Sequence, residues 1–403
     1  MVQFVPGEEL VERWVAFYEV AHAHPELAHA EHRTTEMVEA ELDRLGVEHF
    51  RVSSTGTVAV IRNGEGPTVA FRADVDGLPV TEETGLPYAS RDVAEQGGEG
   101  VGLMHACGHD THFTALLGAL EHLLSVREQW AGTLVLVFQP AEETGSGADA
   151  MLAGGLWDRA PRPDVVLAQH VGPLPSGMYV TKPRDMMSLG DTLAVTVRGR
   201  QAHGSQPESS VDPVVVAAAM VLRLQTIASR EVSPRAGVVV TVGTIRGGTA
   251  PNIIPDTCSF TINVRTPDAA TRETVMEAVD RILRAEAAAS RASVEHETIS
   301  SFPRCFNDPE QTDKVRAALV DAYGEQAVMV LDHGVTASED AGALADAIDV
   351  PLVYWMFGGF EPSAFDGGMP AGNHSPHFAP HGPSAVRTGI AGAVVAVLGY
   401  VGG

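Results

Sequence analysis

Residues 104–112 read Met-His-Ala-Cys-Gly-His-Asp-Thr-His and bring three histidines, a cysteine and an aspartate into one short stretch. Cys107 and His109 offer a thiol sulfur and an imidazole nitrogen close together, and borderline divalent metals favour these donors. Gly108, between them, lets the backbone turn so that both side chains can face one ion. Apolar residues precede the stretch and a helical pattern follows it, which predicts a strand-to-helix turn with Asp110 near the helix N-cap.

The composition narrows the class of protein. The chain has 403 residues, of which 44% are hydrophobic, and this length favours about two or three domains. The formal net charge of −25 argues against nucleic acid or an anionic membrane as a partner, because phosphate groups repel such a surface. Three scattered cysteines are too few for a disulfide framework and favour a reduced, cytoplasmic compartment. No signal peptide is expected, and the longest apolar run, residues 390–401, is too short to span a bilayer.

Polar residues follow several of the predicted buried strands. The strand at 68–73 runs into Asp74 and Asp76, and the strand at 164–169 ends in His170. Sites in α/β sheets form at the carboxyl ends of strands, which favours a functional role for the aspartates over an Asx turn. A single histidine at a strand end is more often structural, but as one of a series His170 becomes a candidate metal ligand.

Two adjacent glutamates follow another buried strand. The apolar run at 134–138 leads into Gln-Pro-Ala-Glu-Glu at 139–143, and the paired carboxylates suggest one metal ligand and one general base. Neighbouring side chains diverge along a strand, so the turn after Pro140 must bring Glu142 and Glu143 toward the same site. A solvated helix start is the ordinary interpretation of such a pair, and the preceding buried strand argues against it.

The pattern changes near Met186. Two strand–helix–strand units predict a compact α+β insertion with an open sheet that ends near Ser300. The predicted strands cover 191–198, 238–245 and 258–265, and the predicted helices cover 214–227 and 271–288. The polar landmarks of the insertion are His203, Asn252 and Arg265. Spacing alone does not separate a binding role for them from a loop histidine, a turn asparagine and a surface arginine.

Alternating strands and helices return after the insertion. The strand at 352–357 leads through a glycine-rich loop to His374 and His377, of which only one is needed as a ligand. A final amphipathic helix is predicted at 384–398, and it closes the α/β part of the chain.

Two histidines near the N-terminus also look like ligands at first sight. The helix predicted at 8–23 is broken by Pro25, and the proline pushes His24 toward extended geometry at the helix exit. We therefore interpret His22 and His24 as structural residues.

Together these motifs resemble the zinc-peptidase family of aminoacylases and glutamate carboxypeptidases, peptidase family M20. The resemblance covers nearly the whole chain and is strongest to the amidohydrolase branch, which includes hippurate hydrolases, auxin–amino-acid conjugate hydrolases and N-acetyl-diaminopimelate deacetylases. It rests on motifs in this order: His-Pro-Glu-Leu at 24–27, Arg-Ala-Asp-Val-Asp-Gly-Leu-Pro at 72–79, Met-His-Ala-Cys-Gly-His-Asp at 104–110, Gln-Pro-Ala-Glu-Glu at 139–143, Asn-Ile-Ile-Pro-Asp at 252–256 and His-Ser-Pro-His-Phe at 374–378.

The resemblance implies a centre with two divalent metal ions, Zn²⁺ or Mn²⁺ first and Co²⁺ or Ni²⁺ as alternatives. The implied ligands are Cys107, His109, Glu143, His170 and His374. Glu142 would be the general acid/base, and Asp76 would orient the site. His203 and Asn252 would bind the scissile carbonyl, and Arg265 would hold a substrate carboxylate.

The resemblance also implies the architecture. It predicts an α/β fold with a three-layer, metallopeptidase-like catalytic domain that comprises residues 1–185 and 301–403. The insertion at 186–300 would be a smaller α+β lid and dimerisation domain, so that the protein forms a homodimer or a higher homo-oligomer.

The predicted activity is metal-dependent hydrolysis of N-acyl amino acids to a carboxylic acid and a free amino acid, with Glu142 as the general base for a metal-activated water. A metallo-dipeptidase or carboxypeptidase with the same centre is the alternative enzyme. Two further alternatives are not enzymes. One is an inactive metal-binding scaffold, and the other is a small-molecule binding protein with a structural zinc. The complete set of donors argues against the scaffold, and the adjacent glutamates argue against a closed structural zinc site.

Overall fold

The structure is a computed structural model that describes residues 4–96 and 99–402. The chain divides into two compact units. The first comprises the chain up to Met186 together with Cys305–His333 and the part from Asp340 onward. The second comprises Met187–Arg304 and the short segment Gly334–Glu339. Each unit has its own cluster of buried apolar side chains.

A ten-stranded mixed sheet forms the centre of the first unit and confirms the predicted α/β fold. Its inner strands are parallel, and Thr68–Asp74 lies between Gly132–Gln139 and Val165–Pro175. These strands are almost entirely buried, as expected from their continuous apolar runs. The order across the sheet is His49–Arg51, Thr57–Asn63, Gly132–Gln139, Thr68–Asp74, Val165–Pro175, Leu352–Phe360, Cys305–Asn307 and Arg184–Met187, with Tyr179–Thr181 and Val328–Val330 off this path. A separate hairpin pairs Val93–Gln96 with Glu99–Gly102.

Helices bury the apolar side chains of this sheet. The helix His109–Ser125 is buried along most of its length and belongs to the same apolar cluster as the C-terminal helix Gly382–Val401. The helices of the unit are Glu8–His22, His32–Arg44, His109–Ser125, Gly147–Ala153, Leu156–Arg159, Pro309–Tyr323, Ala341–Asp346 and Gly382–Val401. The C-terminal helix is long and apolar enough to cross a membrane by composition, but 72% of its apolar window is buried inside the protein.

His22 is a buried structural residue, and this confirms its interpretation from sequence. Its Nδ1 lies 2.6 Å from Asp110 and its Nε2 lies 3.1 Å from Glu82, so both ring nitrogens face carboxylates. His24 pairs with Asp92 in the same structural way. Burial lowers the pKa of His22, but the two carboxylates overcome this effect and raise it to about 10.

The pairing of His22 makes fold stability depend on pH. The pKa of this histidine is higher in the folded than in the unfolded protein, so its contribution is complete below about pH 6.5 and is lost as the pH approaches 10. We expect His22→Gln to cost about 3 kcal/mol at pH 6, because it leaves buried carboxylates unpaired. Denaturant unfolding of both proteins at pH 6 and pH 10 measures this, and a gap that does not narrow at pH 10 would contradict it.

The second unit is a four-stranded antiparallel sheet with two helices. The strand order is Val239–Gly247, Thr257–Thr266, Leu189–Arg198 and Ser293–Phe302. The helices Pro213–Leu224 and Ala269–Ala289 pack their apolar side chains into one cluster with this sheet, and a π-helical turn covers Ile227–Glu231. The predicted strands and helices of the insertion are confirmed with small shifts in their ends.

Two features of the second unit were absent from the sequence prediction. The edge strand Ser293–Phe302 was missed, because most of its side chains are exposed and it lacks an apolar pattern. The segment Gly334–Glu339, placed by sequence in the catalytic domain, clusters with the second unit instead. The reason is local hydrogen bonding, since the amide of Ser188 faces the carbonyls of Val335 and Ala337.

Candidate metal centre

The turn at Cys107–His109 sets the geometry of the site. Gly108 has φ +83°, and a Cβ at this position would lie 2.4 Å from a methyl carbon of Val171, so glycine is required here. The helix begins at His109 with Gly108 as its N-cap, which moves the predicted N-cap back from Asp110. The Asp110 carboxylate instead pairs with the ring of His22.

Five predicted ligands come together in the first unit. Their donor atoms form two groups, and within each group all donor atoms lie within 4.8 Å of one another. Cys107 belongs to both groups. The groups are Cys107 with His109 and His170, and Cys107 with Glu143 and His374.

His170 and His374 approach Cys107 from different parts of the chain. The Cys107 sulfur lies 3.4 Å from Nε2 of His170. The strand Val165–Pro175 continues past His170, because it pairs with Leu352–Phe360 over this length, so the histidine lies within the strand and not at its end as predicted. The amide of His374 donates to the carbonyl of Ala106, which fixes the second histidine beside the turn.

A tight turn brings the two glutamates toward His109. Ala141 adopts a left-handed conformation with φ +52°, and a 3₁₀ turn covers Glu142–Thr144. As a result, Nε2 of His109 lies 3.9 Å from a carboxylate oxygen of Glu142 and 3.8 Å from one of Glu143. The other carboxylate oxygen of Glu143 lies 3.3 Å from Nε2 of His374.

Asp76 hydrogen-bonds both to His109 and to the backbone of Glu143. Its Oδ1 accepts from Nδ1 of His109 at 3.1 Å, and its Oδ2 accepts from the amide of Glu143 at 3.0 Å. A proton on Nδ1 leaves the lone pair of His109 Nε2 directed into the site. This is the usual way in which an outer carboxylate prepares a histidine for a metal.

The donor set fits a pair of divalent ions. His109 Nε2 and Glu143 Oε1 are buried, and neither has a hydrogen-bond partner within the described residues. Buried polar atoms normally have a hydrogen-bond partner. Two such atoms that face each other without one, and that can both coordinate a metal, indicate a position that a metal ion would occupy. Sulfur, imidazole and carboxylate together suit Zn²⁺ and its neighbours in the first transition series.

Two ligand candidates of the centre, Cys107 and His374, have raised pKa values. Burial raises the pKa of the Cys107 thiol. Hydrogen bonds with Cys107 and Glu143 raise the pKa of His374 to about 10. A divalent ion would therefore have to displace protons from these groups in order to bind.

His112 is a functional candidate to which the sequence analysis gave no role. Its Nδ1 lies 2.5 Å from Asp74, and its Nε2 accepts from the amide of Val171 at 2.8 Å. Asp74, His109 and His112 form a further donor group. Both nitrogens of His112 are already engaged, which favours a supporting role beside His170 over that of a ligand. Its position one helical turn after His109 is the sequence signal that could have found it.

Asp74 and Arg72 form a buried network behind the centre. Arg72 Nη1 donates to Asp74 at 2.7 Å, and Nη2 of Arg72 lies 3.1 Å from Asp340. Gln139 accepts from Nε of Arg72 and donates to Asp340. Charged groups that are buried away from water are costly unless they are paired in this way.

The predicted substrate-binding residues lie in the second unit. His203 belongs to the short strand Ala202–His203, which pairs with Ile253–Ile254, and Gly204 donates to the carbonyl of Asn252. His203 and Asn252 are both exposed and lie close together. Arg265 is half-buried, donates to Asn263 and contacts the Ser338 hydroxyl. Their roles in substrate binding stay predictions.

Two donor groups that share a thiol, beside a second glutamate, define a class of enzyme, the hydrolases with two-metal centres. Within that class the chain belongs to peptidase family M20/M25/M40, whose model matches residues 70–396.

Relatives with assigned activities are similar over most of the chain. N-acetyl-L-cysteine deacetylase of Bacillus subtilis is 36% identical over 79% of this chain and 74% of its own length. Hippurate hydrolase of Campylobacter jejuni is 35% identical over 80% of this chain and 82% of its own. Thermostable carboxypeptidase 1 of Saccharolobus solfataricus is 33% identical over 77% and 78%.

A solved structure shares the fold. A dinuclear metal-binding peptidase of the M20 family from Bacillus subtilis matches with a TM-score of 0.76 and 26% identity. The match covers 97% of this chain and 99% of that one. The resemblance inferred from the motifs, including its amidohydrolase branch, is thereby confirmed.

Proposed function

We propose that this protein is a metal-dependent amidohydrolase that cleaves N-acyl amino acids into a carboxylic acid and a free amino acid. The observation that carries the proposal is the pair of donor groups that share Cys107, with Glu142 beside them. The deacetylase and the hippurate hydrolase among the relatives support an acyl-amino-acid substrate.

The residues of the centre would act as metal ligands, as a general base and as an orienting carboxylate. Cys107, His109, Glu143, His170 and His374 would hold two divalent ions, and these supply Lewis acidity for amide hydrolysis. Glu142 accepts a proton from the attacking water and returns it to the departing amine. Asp76 keeps the His109 ring oriented through Nδ1.

The second unit supplies the groups for substrate binding in this proposal. His203 donates to the carbonyl oxygen as negative charge develops on it, and Asn252 binds the same carbonyl group. Arg265 presents a planar guanidinium suited to a carboxylate, which lysine does not offer. Asn263 and Ser338 hold this guanidinium from one side, so its direction is already restricted.

Zn²⁺ and Mn²⁺ are the ions that we propose first. The buried thiol of Cys107 favours Zn²⁺, whereas the imidazole and carboxylate donors also accept Mn²⁺, Co²⁺ or Ni²⁺. We also propose a cytoplasmic location, in line with three free cysteines that are all buried.

We propose a homodimer formed through the second unit. The helix Pro213–Leu224 leaves Val215 and Leu222 exposed at 64% and 73%, and Ile245 is 51% exposed on the edge strand Val239–Gly247. This helix and its π-helical extension are together long and apolar enough to cross a membrane by composition, and only 33% of their apolar window is buried. An apolar helix face beside a strand edge that has no partner among the described residues favours a second copy of the chain. Sedimentation velocity tests this, and a monomer at micromolar concentration would contradict it.

One experiment tests the activity. Protein stripped with a chelator and reloaded with single metals is assayed on N-acetyl and N-benzoyl amino acids and on dipeptides. We expect metal-restored release of free amino acid from the acylated substrates. Cleavage of dipeptides alone would favour the carboxypeptidase alternative, which the relative from Saccharolobus solfataricus supports. Stoichiometric metal binding without any turnover would favour the scaffold.

A further inference from the structure

Glu31 is a buried carboxylate outside the predicted site. It lies at the N-cap of the helix His32–Arg44 and is fully inaccessible to solvent. Its oxygens accept three hydrogen bonds, two from the amides of His29 and Ala141 at 3.0 and 2.8 Å and one from the Thr55 hydroxyl at 2.8 Å. One of these contacts reaches a residue that adjoins Glu142.

Ala141 needs such a contact because of its backbone conformation. It is buried and has φ +52°, a left-handed conformation that is unfavourable for a residue with a Cβ. Its amide donates to Glu31, and its carbonyl accepts from the amide of Gly147 at 3.1 Å. A Cβ on Gly147 would lie 1.6 Å from the carbonyl oxygen of Pro140, so the chain passes itself closely here. The peptide groups around Ala141 are therefore held from both sides.

The conformation of Ala141 decides where the glutamates point. In an extended strand the side chains of Glu142 and Glu143 would point to opposite faces. The left-handed residue turns the chain into the 3₁₀ turn, and both carboxylates then lie within 4 Å of Nε2 of His109.

We propose that Glu31 is a positioning residue, which holds Ala141 in its left-handed conformation and thereby aims Glu142 and Glu143 into the metal centre. The catalytic consequence rests on the proposed function, whereas the consequence for metal binding does not. A carboxylate suits this role because it offers acceptors to all three donors at once. Both amides donate to the same oxygen of Glu31, and the Thr55 hydroxyl, which donates to the other oxygen, can also accept. A glutamine could therefore keep these contacts, so the test must remove both acceptor oxygens, as Glu31→Met does at similar length.

A double-mutant cycle tests the proposal on the full-length protein at pH 8. Burial raises the pKa of Glu31 to about 7, so the side chain is mostly ionised at this pH. We expect Glu31→Met to weaken Zn²⁺ binding and lower kcat by about 10–100-fold, as for other residues that support metal ligands. Ala141→Gly alone should cost at most a few-fold. The double variant should recover most of both losses, because glycine adopts positive φ without assistance.

A matched control separates positioning from general stability. Glu39 lies on the same helix, and its carboxylate pairs with Arg51 and Thr57, whereas Glu31 pairs with Ala141. Glu39→Met should leave Zn²⁺ affinity unchanged, and Ala141→Gly should restore nothing in that background. Thermal unfolding of every variant shows how much stability each one has lost.

Each outcome decides the question. Weakened Zn²⁺ binding in Glu31→Met that Ala141→Gly restores supports the positioning role, even if no substrate is ever cleaved. Unchanged Zn²⁺ affinity in Glu31→Met overturns it. A loss that Ala141→Gly fails to restore also overturns it, because Glu31 would then act through the stability of the fold. Failure of the proposed function appears separately, as a wild-type protein that binds metal and cleaves nothing.

Discussion

Glu142→Gln is expected to keep its metal ions and to lose turnover by about 10²–10⁴-fold, the range for general acid–base groups. Glu142 is buried, and it forms a further donor group with His109 and Glu143. It belongs to neither of the two groups that share Cys107, and for this reason we assign it the base and not a ligand role. Glutamine keeps the volume and removes the base, so the metal ligands stay in place while proton transfer fails.

The measurement is kcat on an N-acyl amino acid, together with the metal content of the same sample. Glu143→Gln is the matched control, since the neighbouring carboxylate approaches His374 and Cys107. It should lose metal and lose activity in parallel. A metal-loaded Glu142→Gln variant with turnover near that of the wild type would remove Glu142 from the catalytic role.

Much of the centre could be predicted, because its residues sit at positions with strong local signals. The buried parallel strands appear as apolar runs, and polar residues such as Asp76 stand out where those runs end. Cys107 and His109 share a glycine-centred turn, and that pattern is short enough to see directly in the sequence.

The supporting residues escaped prediction for a physical reason. Glu31 reaches Ala141 across 110 positions, and no periodicity connects two residues at that separation. The left-handed conformation of Ala141 is equally hidden, because alanine carries no signal for positive φ. The edge strand Ser293–Phe302 is mostly exposed and has no apolar alternation that a sequence reading could detect. It is a strand because it pairs with Leu189–Arg198.

Loss of the Cys107 thiol should empty the whole centre, whereas loss of His374 should empty one part of it. Cys107 belongs to both donor groups, and His374 belongs to one. We expect Cys107→Ala to bind neither metal ion at micromolar Zn²⁺ and to lose activity by at least on the order of 10³-fold, since the metals contribute several kcal/mol to transition-state stabilisation. His374→Ala should keep the ion that the His109 and His170 group holds.

Isothermal titration with Zn²⁺ on chelator-stripped protein measures the stoichiometry of each variant. Cys107→Ser is the conservative control, because a hydroxyl keeps the shape of the site but is a much weaker ligand than a thiolate. If the thiol serves both metal positions, the number of Zn²⁺ ions bound per chain should be highest in His374→Ala, lower in Cys107→Ser and lowest in Cys107→Ala. Equal stoichiometry in His374→Ala and Cys107→Ala would show that the thiol serves only one of them, and the pairing of the two donor groups would need to be redrawn.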